Sequence, residues 1–313
     1  MKKEKQYRGV VIPAVTPLTP DYQLDHAAVE TLYTYFREHN TQLFVLGTTG
    51  ESSSIPPSLK RAYVKLAASL KQPGELLYAG IASNCFQESV TYAKEFFDMG
   101  ADVVVAHLPS YFTLSDDQIL KYFELLASQV PGPLMIYNIP STTHLSIPVP
   151  VIEALSHHEN IVGIKDSERN EERLEQSLKL WAGRDDFSHF LGWAAKASYA
   201  LLNGSDGLVP STGNIIPGVY ADIYRYAQAG DTENLARVQK HSELMGNFYQ
   251  SGRLLGESLW ALKVLMHEAG LCQPVVMPPL TDLGEESAAH LRQGLHELIG
   301  KEDISFNTPL LHA

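Results

Sequence analysis

The chain has 313 residues, 44% of them hydrophobic, enough for one large domain or two ordinary ones with a sizeable core, and too many for a disordered chain. Its 24 Lys and Arg against 36 Asp and Glu give a formal charge of -12. Such a surface repels phosphate backbones and excludes nucleic acid as the expected partner, while leaving room for a locally positive pocket that takes a small anion. The two cysteines, Cys85 and Cys272, form no C-x-x-C and no disulfide framework, which suits a reducing, cytoplasmic compartment. The opening "MKKEKQYRGV" has no apolar stretch behind it, so no signal peptide is expected. No run approaches the roughly 18 apolar residues of a membrane span.

Short apolar runs alternate with amphipathic stretches. The predicted strands are 9–15, 42–47, 76–82, 102–108, 133–139, 161–165, 187–192 and 206–211. Between them the spacing predicts helices over 25–39, 58–70, 86–99, 115–129, 148–156, 170–182 and 193–203, with Ser58 and Ser115 as caps. After the eighth strand, 215–229, 232–270 and 286–298 read as helical. Strand–helix alternation implies parallel pairing with right-handed crossovers, and near-continuous apolar strands imply a sheet covered on both faces. Eight such units suit a closed (β/α)₈ barrel. The rival, an open doubly wound sheet, lacks its G-x-G-x-x-G fingerprint here. The expected organisation is a barrel over 1–230 and a helical C-terminal extension over 231–313, packed as one unit.

In such a barrel the chemistry sits where strands end. Strand two ends in "GTTGE", a tight turn with hydroxyls and free N–H groups suited to a carboxylate or phosphate; it is not a P-loop, since no Gly-Lys-Ser/Thr follows. Strand four is followed by "HLPSYF" with Tyr111, strand five by "YNIP" with Tyr137, strand seven by "GWAA" and strand eight by "PSTGN". The sixth run, "IVGIK", closes on Lys165. Taken singly, each has an ordinary reading: a solvated lysine, a core tyrosine, a common turn. Taken together they describe imine chemistry. Desolvation favours the neutral amine of a lysine at a buried strand end. That amine attacks a ketone, and the imine draws electrons from the neighbouring carbon. A tyrosine hydroxyl supplies the proton carrier.

"GTTGE", "YNIP" and "GIKDS" in this order, with 28 residues from Tyr137 to Lys165 and "DGLVPSTGN" beyond, resemble the dihydrodipicolinate synthase / N-acetylneuraminate lyase family over most of the chain. The resemblance implies a class I aldolase or lyase on a (β/α)₈ barrel, without metal or other cofactor, acting through a Schiff base with pyruvate or another 2-oxo acid, usually as a homotetramer or homodimer. It gives Lys165 as the Schiff-base lysine, Tyr137 as the proton relay, Thr48 as its supporting hydroxyl, and Thr49 with Gly50 as the carboxylate anchor. Tyr111 matches the tyrosine that a neighbouring subunit inserts into the relay, although the family synthases often carry two tyrosines after the proline and this chain has "PSYF".

Two departures bear on substrate. Synthases that use aspartate semialdehyde carry an arginine two residues after the "YNxP" proline; here that residue is Thr142. Sialic acid lyases carry an Asp-Glu pair where this chain has Ala194 and Ala195. The remaining substrate-pocket candidates are Thr142, His144, Ser167, Trp193, Val209 and Ser211. The expected substrates are therefore a 2-oxo acid with an aldehyde, or a 2-keto-3-deoxy acid. The alternatives are a 2-keto-3-deoxy sugar acid dehydratase, a 4-hydroxy-tetrahydrodipicolinate synthase with a substituted carboxylate site, and a non-catalytic 2-oxo-acid sensor. The sensor does not explain an intact Thr48, Tyr137 and Lys165 set. A metal-dependent aldolase finds no H-E-x-x-H among the 12 histidines, only the adjacent His157 and His158. Glu51 and Asp166 are read as hydrogen-bonded rather than catalytic acids.

Overall fold

Eight parallel strands close into a barrel in the computed structural model, which describes residues 5–302 and residue 304. The ends of both expected segments, 1–4, 303 and 305–313, lie outside the described residues. The strands are β1 Gly9–Pro13, β2 Gln42–Val45, β3 Leu77–Gly80, β4 Val103–His107, β5 Leu134–Asn138, β6 Ile161–Asp166, β7 Ser188–Leu191 and β8 Gly207–Leu208. Each pairs in parallel with the next, and β8 pairs with β1. The expected (β/α)₈ barrel is the fold observed. The last strand is far shorter than the expected 206–211, because Ser211–Asn214 turns into a 3₁₀ segment directly after it.

Crossovers run through α1 His26–Glu38, α2 Pro57–Leu70, α3 Phe86–Met99, α4 Asp116–Gln129, the single turn α5 Pro140–Thr143 with α6 Val149–Leu155, α7 Glu171–Trp181, α8 Ala197–Leu202 and α9 Pro217–Ala229. Ser115 closes a full capping box with Gln118 at the start of α4, as expected. Ser58 does not cap α2. That helix begins at Pro57, whose missing N–H suits the first helical position, and Ser58 falls inside it.

The predicted single helix over 232–270 is two, α10 Thr232–Gln250 and α11 Leu255–Glu268. Gly252 adopts a left-handed φ of 74° between them, a conformation that ends helices and that glycine enters without steric cost. Helix α12, Gly284–Glu302, follows.

Alternation along the strands divides the core. One set of residues, including Ile12, Leu43, Val104, Ile136 and Ile164, faces the helices. The other, including Phe44, Val103, Val105, Tyr137, Phe190 and Val209, fills the barrel. Tight strand contact explains Gly163: a Cβ there would stand 2.4 Å from the Ser188 carbonyl oxygen. No helix among the described residues is long and apolar enough to cross a membrane.

Candidate active site

Register assembles the site. His107 on β4 pairs with Tyr137 on β5, Tyr137 with Lys165 on β6, and Lys165 with Phe190 on β7. Four neighbouring strands thus place one residue each in a single tier at the C-terminal end of the barrel. Lys165 is only 3% exposed. Its Nζ stands 3.8 Å from the centre of the Tyr137 ring and 5.1 Å from that of Phe44. Burial pushes its pKa below the ordinary lysine value, with Tyr137 opposing in part. The "IVGIK" lysine is therefore a desolvated amine against two aromatic faces, with no carboxylate paired to it among the described residues.

The Tyr137 hydroxyl lies 3.4 Å from Thr48 Oγ1 across the barrel mouth. This is longer than a closed O–H···O bond. Thr48 sits in a turn held from below. Thr16 Oγ1 donates to the Gly50 carbonyl at 2.6 Å, and Glu51 N donates to the Thr48 carbonyl at 3.0 Å. Gly50 suits the close approach here, since a Cβ would stand 3.0 Å from the Ala14 carbonyl oxygen, a tight contact against backbone. Among the described residues the N–H groups of Thr49 and Gly50 have no hydrogen-bond acceptor, which leaves them for an anion.

The motif carboxylates are structural. Glu51 forms a buried ion pair with Lys263 of α11 at 2.6 Å, and its other oxygen accepts from Met277 N at 2.6 Å. Asp166, next to the lysine, accepts from Arg173 Nε at 2.6 Å and from Asn138 Nδ2 at 2.9 Å. Asn138 in turn accepts from Ile147 N at 3.0 Å. The asparagine of "YNIP" and the aspartate of "GIKDS" thereby lock the ends of β5 and β6 together, which fixes Tyr137 against Lys165.

A cavity of about 160 Å³ opens beside this tier, lined by Thr48, Ser52, His107, Ser110, Thr142 and Leu259 among others. The structure thus brings Lys165, Tyr137 and Thr48 together, keeps Thr49 and Gly50 beside them, and sets Thr142 across the cavity. Val209 belongs to the inner-barrel cluster with Tyr137. Ser167 Oγ packs against Gly192, where a Cβ would approach it to 2.1 Å. Ser211 is engaged with the Tyr249 hydroxyl of α10 at 3.1 Å. Three candidates stand apart. His144 is exposed at the left-handed end of α5, Trp193 packs on the outer core beside Lys196, and Tyr111 is 80% exposed, edge-on to the exposed Phe112.

Sequence reasoning missed His107 and Lys263. The alternation of "DVVVAH" sets residue 107 on the same face as Val103 and Val105, a signal that was available. Lys263 gave no local signal, since its partner is more than two hundred residues away.

The dihydrodipicolinate synthetase family model matches residues 6–298. The chain belongs to that family. It is 29% identical over 281 residues to an uncharacterized DapA-like lyase of Pyrococcus abyssi, covering 89% of this chain and 94% of that one. The solved dihydrodipicolinate synthase of Bacteroides thetaiotaomicron superposes with a TM-score of 0.87 at 28% identity, over 93% of this chain and 98% of that one. YagE of E. coli K12, a prophage protein of the dihydrodipicolinic acid synthase family solved in complex with pyruvate, gives a TM-score of 0.87 at 25% identity over the same shares. As a family member the protein is an enzyme, a lyase of the aldolase type.

Proposed function

We propose that the enzyme forms a Schiff base between Lys165 and a 2-oxo acid, pyruvate or a 2-keto-3-deoxy acid, and makes or breaks the carbon–carbon bond beside it. The observation that carries this reading is the desolvated Lys165 amine 3.8 Å from the Tyr137 ring centre, with the Thr48 hydroxyl 3.4 Å from the Tyr137 oxygen. The neutral amine adds to the C2 ketone, and loss of water leaves a protonated imine. In the cleavage direction the C4 hydroxyl gives up its proton to the Tyr137–Thr48 relay and the C3–C4 bond breaks. Its electron pair enters the imine as an enamine, and an aldehyde departs. Protonation at C3 and addition of water then release pyruvate. The N–H groups of Thr49 and Gly50 take the carboxylate of the 2-oxo acid.

For the second substrate we favour an uncharged aldehyde, or the matching 2-keto-3-deoxy acid, over aspartate semialdehyde. Thr142 offers the cavity a hydroxyl that leans on the Ile139 carbonyl at 3.4 Å, and no cation. Ala194 and Ala195 give no carboxylates for a long polyol. The exposed Tyr111 and Phe112 suit a homodimer or homotetramer in which Tyr111 enters a partner's relay. We place the enzyme in the cytoplasm, in keeping with its two free cysteines.

Incubation with pyruvate and borohydride tests the central claim. The reduced adduct is expected on the tryptic peptide containing Lys165. Labelling of another lysine, or none with any 2-oxo acid, overturns it.

A further inference from the structure

Histidine 107 belongs to the reactive tier but has no part in the imine chemistry described above. It pairs in register with Tyr137, which pairs with Lys165. Val103 and Val105, two and four residues before it, both fill the barrel, so alternation turns His107 inward as well. Its ring meets that of Tyr137 edge-on, with centroids 6.1 Å apart at 73°.

The protonation of this imidazole follows from its neighbours. Nδ1 lies 2.7 Å from the Leu108 carbonyl oxygen, which only accepts, so Nδ1 carries the hydrogen and Nε2 carries a lone pair. Burial, and then the charges of Lys165 and Lys60, hold the ring below the ordinary histidine pKa, while the Leu108 bond opposes them. Among the described residues Nε2 has no hydrogen-bond partner. The side chain lines the cavity that Thr48 and Thr142 share. A strong acceptor thus stands next to the proton relay without a donor of its own.

Neighbouring strands are about 4.8 Å apart. His107 is one strand beyond Tyr137 and two beyond Lys165. A substrate joined to Lys165 through C2 and running along this tier past Tyr137 would bring the carbons contributed by the aldehyde toward His107. A base at this point would become a cation close to the protonated imine, which both charge and desolvation oppose. A hydrogen-bond acceptor incurs neither penalty.

We propose that His107 is a specificity-determining residue whose Nε2 accepts a hydrogen bond from a hydroxyl on the aldehyde-derived carbons, so that the enzyme takes hydroxylated aldehydes in preference to their deoxy analogues. This rests on the Schiff-base reading of Lys165. A site built around a substrate hydroxyl discriminates against the analogue lacking it, because the acceptor then loses its partner in the complex.

The test is condensation of pyruvate with glyceraldehyde against propionaldehyde, two three-carbon aldehydes, read as the ratio of their kcat/KM values. Wild-type enzyme is expected to prefer glyceraldehyde. His107→Phe keeps a flat ring against Tyr137 but removes the acceptor, and is expected to lower the ratio by about tenfold or more. His107→Gln restores an acceptor oxygen and is expected to recover part of it. His107→Leu reads the same loss if the Phe ring does not fit. A wild type without preference, or variants that keep the wild-type ratio, overturn the assignment of His107 alone, provided wild-type Lys165 is trapped by pyruvate and borohydride. Failure of that trapping overturns the Schiff-base reading and this inference with it.

Discussion

Lys263 Nζ stands 2.6 Å from Glu51 Oε1, and neither side chain is exposed. The same ammonium donates to the carbonyls of Thr16 at 2.8 Å and Val275 at 2.6 Å. The C-terminal extension is therefore bonded into the turn that carries Thr48 and Thr49. Removing one partner leaves a buried charge without compensation, which costs about 3–5 kcal/mol. Lys263→Met and Glu51→Leu are each expected to lower the urea midpoint accordingly. The double replacement is expected to recover only part of the loss, since it removes the unpaired charge but leaves the Thr16 and Val275 carbonyls and the Met277 N–H without their partners. Equal losses that simply add would show that the two side chains do not interact.

Replacing Tyr137 with Phe removes one hydroxyl and keeps the ring against Lys165. Turnover is expected to fall by about 10²–10⁴, the range of acid–base groups, with little change in the unfolding midpoint. Single-turnover kinetics check where the loss falls. Pyruvate trapping on Lys165 should persist while bond cleavage slows.

Lys165→Met is expected to lower turnover by at least about a thousandfold and to stabilise the fold at neutral pH. The sign follows from linkage. The pKa of Lys165 is lowered in the folded state, so below that value the fold suffers the full penalty of a buried charge, and above it the unfolded chain still holds the proton. Stability from this group accordingly rises with pH until the ordinary lysine value near 10.5 is passed. Urea titrations of wild type and variant across that range should converge as pH rises; a constant difference contradicts the linkage.

His189 is buried, with its Nδ1 3.1 Å from Ser205 Oγ and its Nε2 without a partner among the described residues. Desolvation is the main cause that lowers its pKa to about 4, with Asp166 opposing and Arg173 and Lys5 assisting. An unfolded histidine titrates near 6.5, so stability is lost as pH falls from about 6.5 to about 4, by about 3 kcal/mol at the low end. His189→Leu is expected to remove that part of the acid sensitivity, read as the difference between the two proteins' urea midpoints over the same interval. Parallel curves would assign the acid loss to other groups.

The barrel, and the grouping of Lys165, Tyr137 and Thr48 at its mouth, were legible because each rests on short-range pattern. Strand alternation, the order of "GTTGE", "YNIP" and "GIKDS", and the capping box at Ser115 are local. What the sequence did not disclose lies in distant contacts. The break of 232–270 at Gly252 depends on one backbone angle. Ser211 has the residue type of a substrate contact, yet Tyr249, on a helix that follows the barrel, already occupies its hydroxyl. Tyr111 and His144 follow strand ends closely in sequence, but turns carry both out to the surface.

The Glu51 bond to Met277 spans 226 residues, and the Lys263 bond to Thr16 spans 247. A ribosome therefore delivers the turn at Thr48–Glu51 long before it delivers the cation that pairs with the turn's glutamate. Until about residue 277 has emerged, the Glu51 carboxylate lacks the Met277 N–H that it accepts from in the finished fold. A chain interrupted before residue 277 therefore lacks partners that hold Glu51, although Thr48, Tyr137 and Lys165 have already been made.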